Sequence, residues 1–249
     1  MASPYSGLPI EQWKAKTREL IERHPLDLET IREVAIAGWG TLWLTKIGEG
    51  ETAIPITELD VPAMVVGYFF EKLFARELQL HFPDDWRGGR SKDEKDLVFL
   101  PNSFFSTEIK TSGQLGTKIY GNRSYGQKAG DGSLVTKTEK SGYYITANFH
   151  GKTLTLLRFG WIDALDWRPQ ASSTGQAASL PIEVYQYKLI EIPGDYRLSA
   201  PVGILEGVGP KTTEVFAKEN VTTIQELLDY EGENIVVQKF REKIIALKY

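Results

Sequence analysis

The segment AMVVGYFFEKLFARELQLHF, residues 63 to 82, restricts the fold more than any other part of this sequence. Asp60 and Pro62, just before it, are residues that favour the start of a helix. Apolar residues would occupy most of the circumference of that helix, so it must be largely buried. The segments that follow, DLVFL and SFFSTEIKT, have the apolar and aromatic composition of strands. The sequence therefore predicts a buried helix that packs against a β-sheet.

Local patterns predict the other elements. Residues 10 to 23 and 27 to 37 are expected to form acidic surface helices, the second with one apolar face made of Leu28, Ile31, Val34 and Ala35. Further strands are predicted in GYYITANF, TLTLLRF and VYQYKLIEI. The polar stretches DDWRGGRSKDEK and PQASSTGQAASLP are predicted to be loops.

Composition excludes several kinds of site. The chain has no cysteine and only three scattered histidines, so neither disulfides nor a zinc cluster is expected, and any metal should have oxygen ligands. The N-terminus lacks a secretory pattern, and no run of about 18 apolar residues occurs, so we expect an intracellular, soluble protein. With 249 residues, 41% of them hydrophobic, the chain can form one large domain or two unequal ones.

The stretch FSTEIKTSG, residues 105 to 113, places an acid and a base on the same side of a predicted strand. Side chains alternate across a strand, so Glu108 and Lys110 share one face while Thr107 and Ile109 point to the other. The same face therefore carries opposite charges two residues apart.

A hairpin between DLVFL and this strand brings a second carboxylate to the same place. The turn residues around Asn102 favour such a hairpin, and its register places Asp96 opposite Glu108. Directly opposed residues have Cβ atoms roughly 5 Å apart, where like charges are destabilising unless a cation compensates them. The sequence therefore predicts a divalent metal at the two carboxylates, with Lys110 beside them.

Asp96 followed by Glu108-Ile109-Lys110 resembles the motif of the PD-(D/E)xK nuclease superfamily. The resemblance covers roughly residues 61 to 150 in element order, although Lys95 stands where the motif has proline. It implies an α/β (α+β) fold, with a restriction-endonuclease-like mixed sheet flanked by helices. It also implies Mg²⁺ bound by Asp96, Glu108 and the Ile109 carbonyl, with Lys110 orienting or helping to deprotonate the attacking water.

Several assignments within this motif stay open. Asp93 or Glu94 could replace Asp96 as the first ligand, although Asp96 is preferred because it adjoins the apolar strand. Glu71, on the buried helix, either points into the site as a further catalytic residue or is an ordinary charge on the helix's open side. Glu108 and Lys110 alone could form a solvated ion pair.

The stretch after the motif, TSGQLGTKIYGNRSYGQKAG, contains no acid, although the chain as a whole has a net charge of -4. Its amide and basic side chains suit contacts with phosphates and base edges, whereas a disordered surface loop is the alternative. The residues expected to bind DNA here are Gln114, Lys118, Asn122, Arg123, Gln127 and Lys128.

The end of the chain resembles a helix-hairpin-helix module. In LEGVGPKTTEVF, Gly207 and Gly209 allow a tight turn whose backbone N–H groups can bind a phosphate, and Lys211 adds positive charge. The residues from Thr223 have the pattern of a capping box for the next helix. Such a unit binds DNA without sequence preference, or its apolar side serves in docking or dimerisation.

These features predict a nuclease domain over residues 1 to 200 and a small all-α domain over residues 201 to 249. The resemblance implies a type II restriction endonuclease, a Mg²⁺-dependent homodimer that cuts a palindrome in double-stranded DNA in the cytoplasm of a prokaryotic cell. A repair or recombination nuclease and a non-catalytic DNA-binding module of the same fold are the alternatives. A protein-interaction domain, suggested by the acidic N-terminal helices, is a third.

Overall fold

The computed structural model describes residues 3–91, 93–122, 140–169 and 177–246. Its α-helices are α1 (Trp13–Glu22), α2 (Leu28–Leu44), α3 (Ala63–His81), α4 (Pro210–Lys218), α5 (Ile224–Leu228) and α6 (Ile235–Ala246). Its strands are β1 (Lys46–Ile47), β2 (Ile54–Pro55), β3 (Trp86–Gly88), β4 (Leu97–Phe99), β5 (Thr107–Ser112), β6 (Tyr120–Asn122), β7 (Gly142–His150), β8 (Thr153–Ile162), β9 (Arg168–Pro169), β10 (Ala177–Ser179) and β11 (Leu189–Glu191).

Six strands form the central sheet, in the order β11-β8-β7-β5-β4-β3. The neighbours β5 and β7 are parallel, whereas the other registered pairs are antiparallel. Parallel neighbours need a long connection, and the chain between these two includes β6, which pairs with β10 in a separate small sheet. Helices α1 to α3 pack against the central sheet. The predicted mixed sheet flanked by helices is confirmed.

Helices α2 and α3 pack against each other and share one core with the sheet. Helix α3 packs against the sheet as predicted, and Phe70 and Phe74 are completely buried in that core. Met64, Tyr68 and Leu80 on its other side are exposed, so the expectation that the helix is largely buried is wrong. Helix α2 runs to Leu44 rather than to residue 37, and the expectation that it lies on the surface is wrong. Trp39 and Leu42 extend its apolar stripe into the core, so only its outer side carries charges.

The opposite face of the sheet has a core of its own, and the turn that leads into β11 contains a buried lysine. Here VYQYKLIEI forms a π-helical turn over Val184–Lys188 and a strand only over Leu189–Glu191, so the strand prediction is wrong for its first half. The Lys188 ammonium donates to Asp163 and Asp166, each at 2.8 Å. These ion pairs hold Lys188 in the interior, which the pattern of apolar residues cannot indicate.

Two predicted loops contain short strands. Strand β3 lies within DDWRGGRSKDEK and pairs with β4, with Trp86 opposite Phe99. Strand β10 lies within the second predicted loop, of which residues 170–176 are outside the described part of the chain. Pairing with an existing strand stabilises both segments more than their own weak β propensity does.

The C-terminal helices form a separate small core, to which Val202, Phe216, Leu227 and Val237 contribute. The predicted capping box is confirmed, because Thr223 and Glu226 cap α5 reciprocally. The apolar side that was considered for docking or dimerisation therefore packs within this unit. Its residues are Val215, Phe216, Ile224, Leu227 and Leu228. Among the described residues, no helix is long and apolar enough to cross a lipid bilayer.

Candidate active site and DNA interface

Asp96 and Glu108 come together because β4 and β5 pair in the predicted register. Leu97 is the partner of Thr107, so Asp96, one residue earlier, lies beside Glu108. The backbone N–H of Ile109 donates to Asp96 Oδ2 at 2.8 Å and fixes that carboxylate against β5. The connection is longer than a tight hairpin, since Ser103–Phe105 forms a 3-10 turn instead of continuing the strand.

Strand alternation places Glu108 and Lys110 on the face opposite the buried Ile109. The Lys110 ammonium donates to Glu108 Oε1 at 2.6 Å and to the Ile109 carbonyl at 3.0 Å. Both side chains are 15% exposed, so this is not a solvated surface pair. The acid and the base of the motif therefore meet in a partly enclosed site.

Lys95 is a residue of this site whose contacts the sequence analysis did not anticipate. Its ammonium lies 3.8 Å from Glu108 Oε2 and 5.1 Å from the centre of the Tyr144 ring. The only signal in the sequence was its place next to Asp96, where the motif has proline. Glu108 thus has a lysine at each carboxylate oxygen.

Burial and neighbouring negative charges raise the pKa of two acidic groups of the site, Glu71 and Asp96. Burial, with the nearby charge of Asp96, raises the pKa of Glu71 on α3 to about 7. Burial and the charge of Glu108 raise the pKa of Asp96, and Lys110 opposes this only in part. Glu71 is therefore within electrostatic reach of the motif, and the lysines compensate the negative charge incompletely.

The donor atoms fit a hard divalent cation. Within the described residues, no three histidine or acidic side chains are arranged to hold a metal ion. Mg²⁺ does not require three, because it binds through one or two carboxylates and keeps several waters. The Lys110 ammonium already contacts the two oxygens, Glu108 Oε1 and Ile109 O, that the motif assigns to the metal. These oxygens are thus arranged around a positive charge.

The alternative first ligands are placed less suitably. Glu94 accepts hydrogen bonds from Arg87 Nη1 at 3.0 Å and from the Arg90 backbone at 2.7 Å, and the Arg87 hydrogen bonds lower its pKa to about 2. Asp93 is exposed. Asp96 is the carboxylate of the three that is hydrogen-bonded to β5.

The residues expected to bind DNA lie in two regions. Gln114 and Lys118 are exposed in the loop after β5, and Asn122 ends β6. Arg123, Gln127 and Lys128 lie outside the residues that the structure describes.

The predicted phosphate-binding turn has the expected backbone in the C-terminal unit. Gly207 has a φ of +86°, a conformation that favours glycine, and Gly209 precedes α4, where a Cβ would meet nothing within 4 Å. Lys211 is exposed on the first turn of α4. Leu115 lies 3.7 Å from where a Cβ would stand on Gly203, so the loop after β5 adjoins this unit.

A mixed sheet flanked by helices, with the Asp96 and Glu108-Ile109-Lys110 pattern on adjacent strands, defines a nuclease of the PD-(D/E)xK class. The family model of the ScaI restriction endonuclease matches residues 3–193. The chain belongs to this family and is a restriction endonuclease, an enzyme that cleaves DNA at specific sequences.

A known relative matches over a similar length of chain. The type II restriction enzyme ScaI from Streptomyces caespitosus is 35% identical over 199 residues, which are 76% of this chain and 84% of that enzyme. A solved restriction endonuclease in complex with substrate DNA aligns with a TM-score of 0.38 and 9% identity, over 81% of this chain and 96% of that one. The family match ends at residue 193, so α4 to α6 lie beyond it.

Proposed function

We propose that the protein hydrolyses double-stranded DNA with Mg²⁺ held by Asp96, Glu108 and the Ile109 carbonyl. The observation that carries this proposal is the hydrogen bond from Ile109 N–H to Asp96, which joins the two strands of the motif. When bound, Mg²⁺ would stabilise the negative charge that builds on the phosphate. The remaining chemistry belongs to the side chains around it.

Lys110 and Glu71 are suited to handle the attacking water. The ammonium of Lys110 orients the water and stabilises the hydroxide that forms, because the two have opposite charge. Glu71, with a pKa of about 7, exchanges protons readily near neutral pH and is suited to accept the proton of the water. Lys95, beside Glu108, limits the repulsion between the carboxylates before DNA arrives.

DNA contacts are divided between the loop and the C-terminal unit in this proposal. The loop residues from Gln114 to Lys128 read base edges and hold phosphates, and the exposure of Gln114 and Lys118 is consistent with this. Gly207, Gly209 and Lys211 add a phosphate contact that is independent of sequence. The core of the C-terminal helices is separate from the core of the central sheet. This separation supports a division into two domains near residue 200.

We propose a homodimer, because its two-fold symmetry would match that of a palindromic site in the DNA. Simultaneous cleavage of both strands of a plasmid, with a particle mass of two chains on DNA, would support it. We further propose that the enzyme acts in the cytoplasm of a prokaryotic cell, as its family relationship suggests.

The test of the metal site is cleavage of plasmid DNA with Mg²⁺ by Asp96→Ala, compared with the matched control Asp93→Ala. Asp93 is exposed, and Asp96 is the carboxylate to which Ile109 N–H of β5 donates, so the Asp93 variant should yield the discrete fragments of the wild type. The Asp96 variant should cut slower by orders of magnitude while still binding the same DNA in Ca²⁺, which tolerates looser oxygen geometry. Normal cutting by Asp96→Ala would overturn the proposal. Random nicking by the wild type would favour a repair nuclease instead.

A further inference from the structure

Three side chains on the active-site face of the sheet hold the backbone of residues 117–119. Arg158 Nη2 donates to the Thr117 carbonyl at 2.7 Å, and Asn148 Nδ2 donates to the Lys118 carbonyl at 2.9 Å. The hydroxyl of Tyr185 accepts from Ile119 N–H at 3.0 Å. These contacts come from β7, β8 and the π-helical turn, so three separate elements converge on three consecutive residues.

This cluster is linked within itself. Arg158 Nη1 donates to Asn148 Oδ1 at 3.3 Å, and the guanidinium lies 5.2 Å from the centre of the Tyr185 ring. Asn148 is completely buried and Arg158 is 3% exposed. The planar guanidinium fork donates to a carbonyl and to an amide oxygen in fixed directions, whereas a lysine ammonium is a compact charge on a flexible stem. The segment is therefore held by a rigid arrangement.

The cluster shares the face and the register of the catalytic strand. Lys110 pairs with Thr146 on β7, and Thr146 pairs with Arg158 on β8, so the three lie in one row. Arg158 is thus two strand spacings, about 10 Å, from Lys110 along the sheet. The held segment follows β5 after residues 113–116, and its carbonyls point inward while the Lys118 side chain is exposed.

Stability alone does not account for this arginine. Within the described residues, no carboxylate lies within ion-pair distance of Arg158, and burial lowers its pKa to about 10. A buried cation that has only neutral acceptors stabilises a fold less than an apolar side chain of similar volume does. Arg197, by contrast, donates to the Thr155 carbonyl and pairs with Glu191.

We propose that Arg158, together with Asn148, is a positioning residue that fixes Lys118 against the DNA relative to the catalytic strand. The interior hydrogen bonds hold the Thr117 and Lys118 carbonyls. The backbone position from which the exposed Lys118 side chain extends is therefore fixed. This inference rests on the proposed DNA contact of Lys118. Without these hydrogen bonds, the Lys118 ammonium would contact a phosphate in a smaller fraction of the bound complexes.

The test is a double-mutant cycle between Arg158 and Lys118, read as DNA affinity at several salt concentrations in Ca²⁺. Lys118→Ala should weaken binding roughly tenfold and reduce the log-log salt slope by about 0.9, as expected for one lost phosphate contact. Arg158→Met should reproduce much of both changes, and adding it to Lys118→Ala should have little further effect. Arg197→Met, the control, removes an arginine that also bonds a strand carbonyl and should leave the slope unchanged.

Additive effects of Arg158→Met and Lys118→Ala would overturn the inference, as would an unchanged salt slope in Arg158→Met. A second measurement does not depend on DNA. Amide hydrogen exchange at residues 117–119 should accelerate at least tenfold in Arg158→Met, and equal protection would also refute the inference. If Arg158→Met does not fold, Arg158→Lys serves in both measurements. Site-specific cutting by the wild type tests the proposed function separately, so that function can hold even if the inference about Arg158 is refuted.

Discussion

His24 gives the protein a stability that should fall in mild acid. The ring is 6% exposed, behind β5, and its centre lies 4.4 Å from that of Tyr143. Nδ1 lies 3.1 Å from the Leu26 N–H and accepts its hydrogen bond, which leaves Nε2 to donate to the Phe105 carbonyl at 2.9 Å. Both contacts suit the neutral ring. Burial lowers the pKa of His24 from 6.5 to about 4, although the hydrogen bond to the Phe105 carbonyl opposes this shift.

The magnitude follows from the difference between the folded and unfolded proteins. The unfolded chain takes up a proton on His24 below about pH 6.5, whereas the folded chain resists until about pH 4. The stability is therefore complete above pH 6.5 and is lost as the pH falls towards 4. The expected loss is about 1 kcal/mol at pH 5.5 and about 2 to 3 kcal/mol at pH 4.5, with a limit of about 3 kcal/mol.

The assay is urea unfolding of wild type and His24→Gln at pH 7.5, 6.5, 5.5 and 4.5. Glutamine can accept and donate like the neutral ring but does not titrate, so the variant should be less stable at pH 7.5 through lost packing and should depend less on pH. Glu71 and Asp96 titrate in both proteins, so their contributions cancel in the difference. Parallel curves for the two proteins would refute the assignment of this stability to His24.

Three shorter predictions concern the site and the C-terminal unit. In metal-free protein, Glu71→Gln should be more stable than wild type at pH 8, with the advantage shrinking below pH 7, because the raised pKa of Glu71 means that its ionisation disfavours folding; no difference in urea at pH 8 would contradict this. Thr146→Val should raise the free energy of unfolding by about 1 kcal/mol in urea, since the buried Thr146 hydroxyl has no hydrogen-bond partner among the described residues; a lower value would reveal a partner. Gly207→Val combined with Lys211→Glu should flatten the salt dependence of DNA binding by about one unit per lost phosphate contact without changing the cut sequence, and an unchanged slope and affinity would remove DNA contact from this unit.

The pairing of β4 with β5 is a feature of the site that local sequence patterns predicted correctly. Alternation put Glu108 and Lys110 on one face, and the turn residues set the register that Leu97 and Thr107 adopt. The apolar stripe that packs α3 on the sheet followed from helical periodicity in the same way, although Met64 and Tyr68 on its other side are exposed. These features depend on side chains that alternate along a strand or recur at each helical turn, so residues close together in the sequence are enough to predict them. The roles of Asp96, Glu108 and Lys110 in catalysis stay predictions.

The environment of the same residues was decided only by tertiary structure. The raised pKa of Glu71 depends on its burial and on the charges of Asp96 and Glu108, and the contact of Lys95 with Glu108 depends on the pairing of β4 with β5. Lys188 was predicted in a strand. Its ion pairs with Asp163 and Asp166 join residues more than twenty positions apart, so local sequence patterns could not indicate them. The sequence by itself determined which residues share a face of a helix or strand, because that depends on backbone geometry. Which charges meet across elements depends on how those faces pack, and packing alone set the electrostatics of this site.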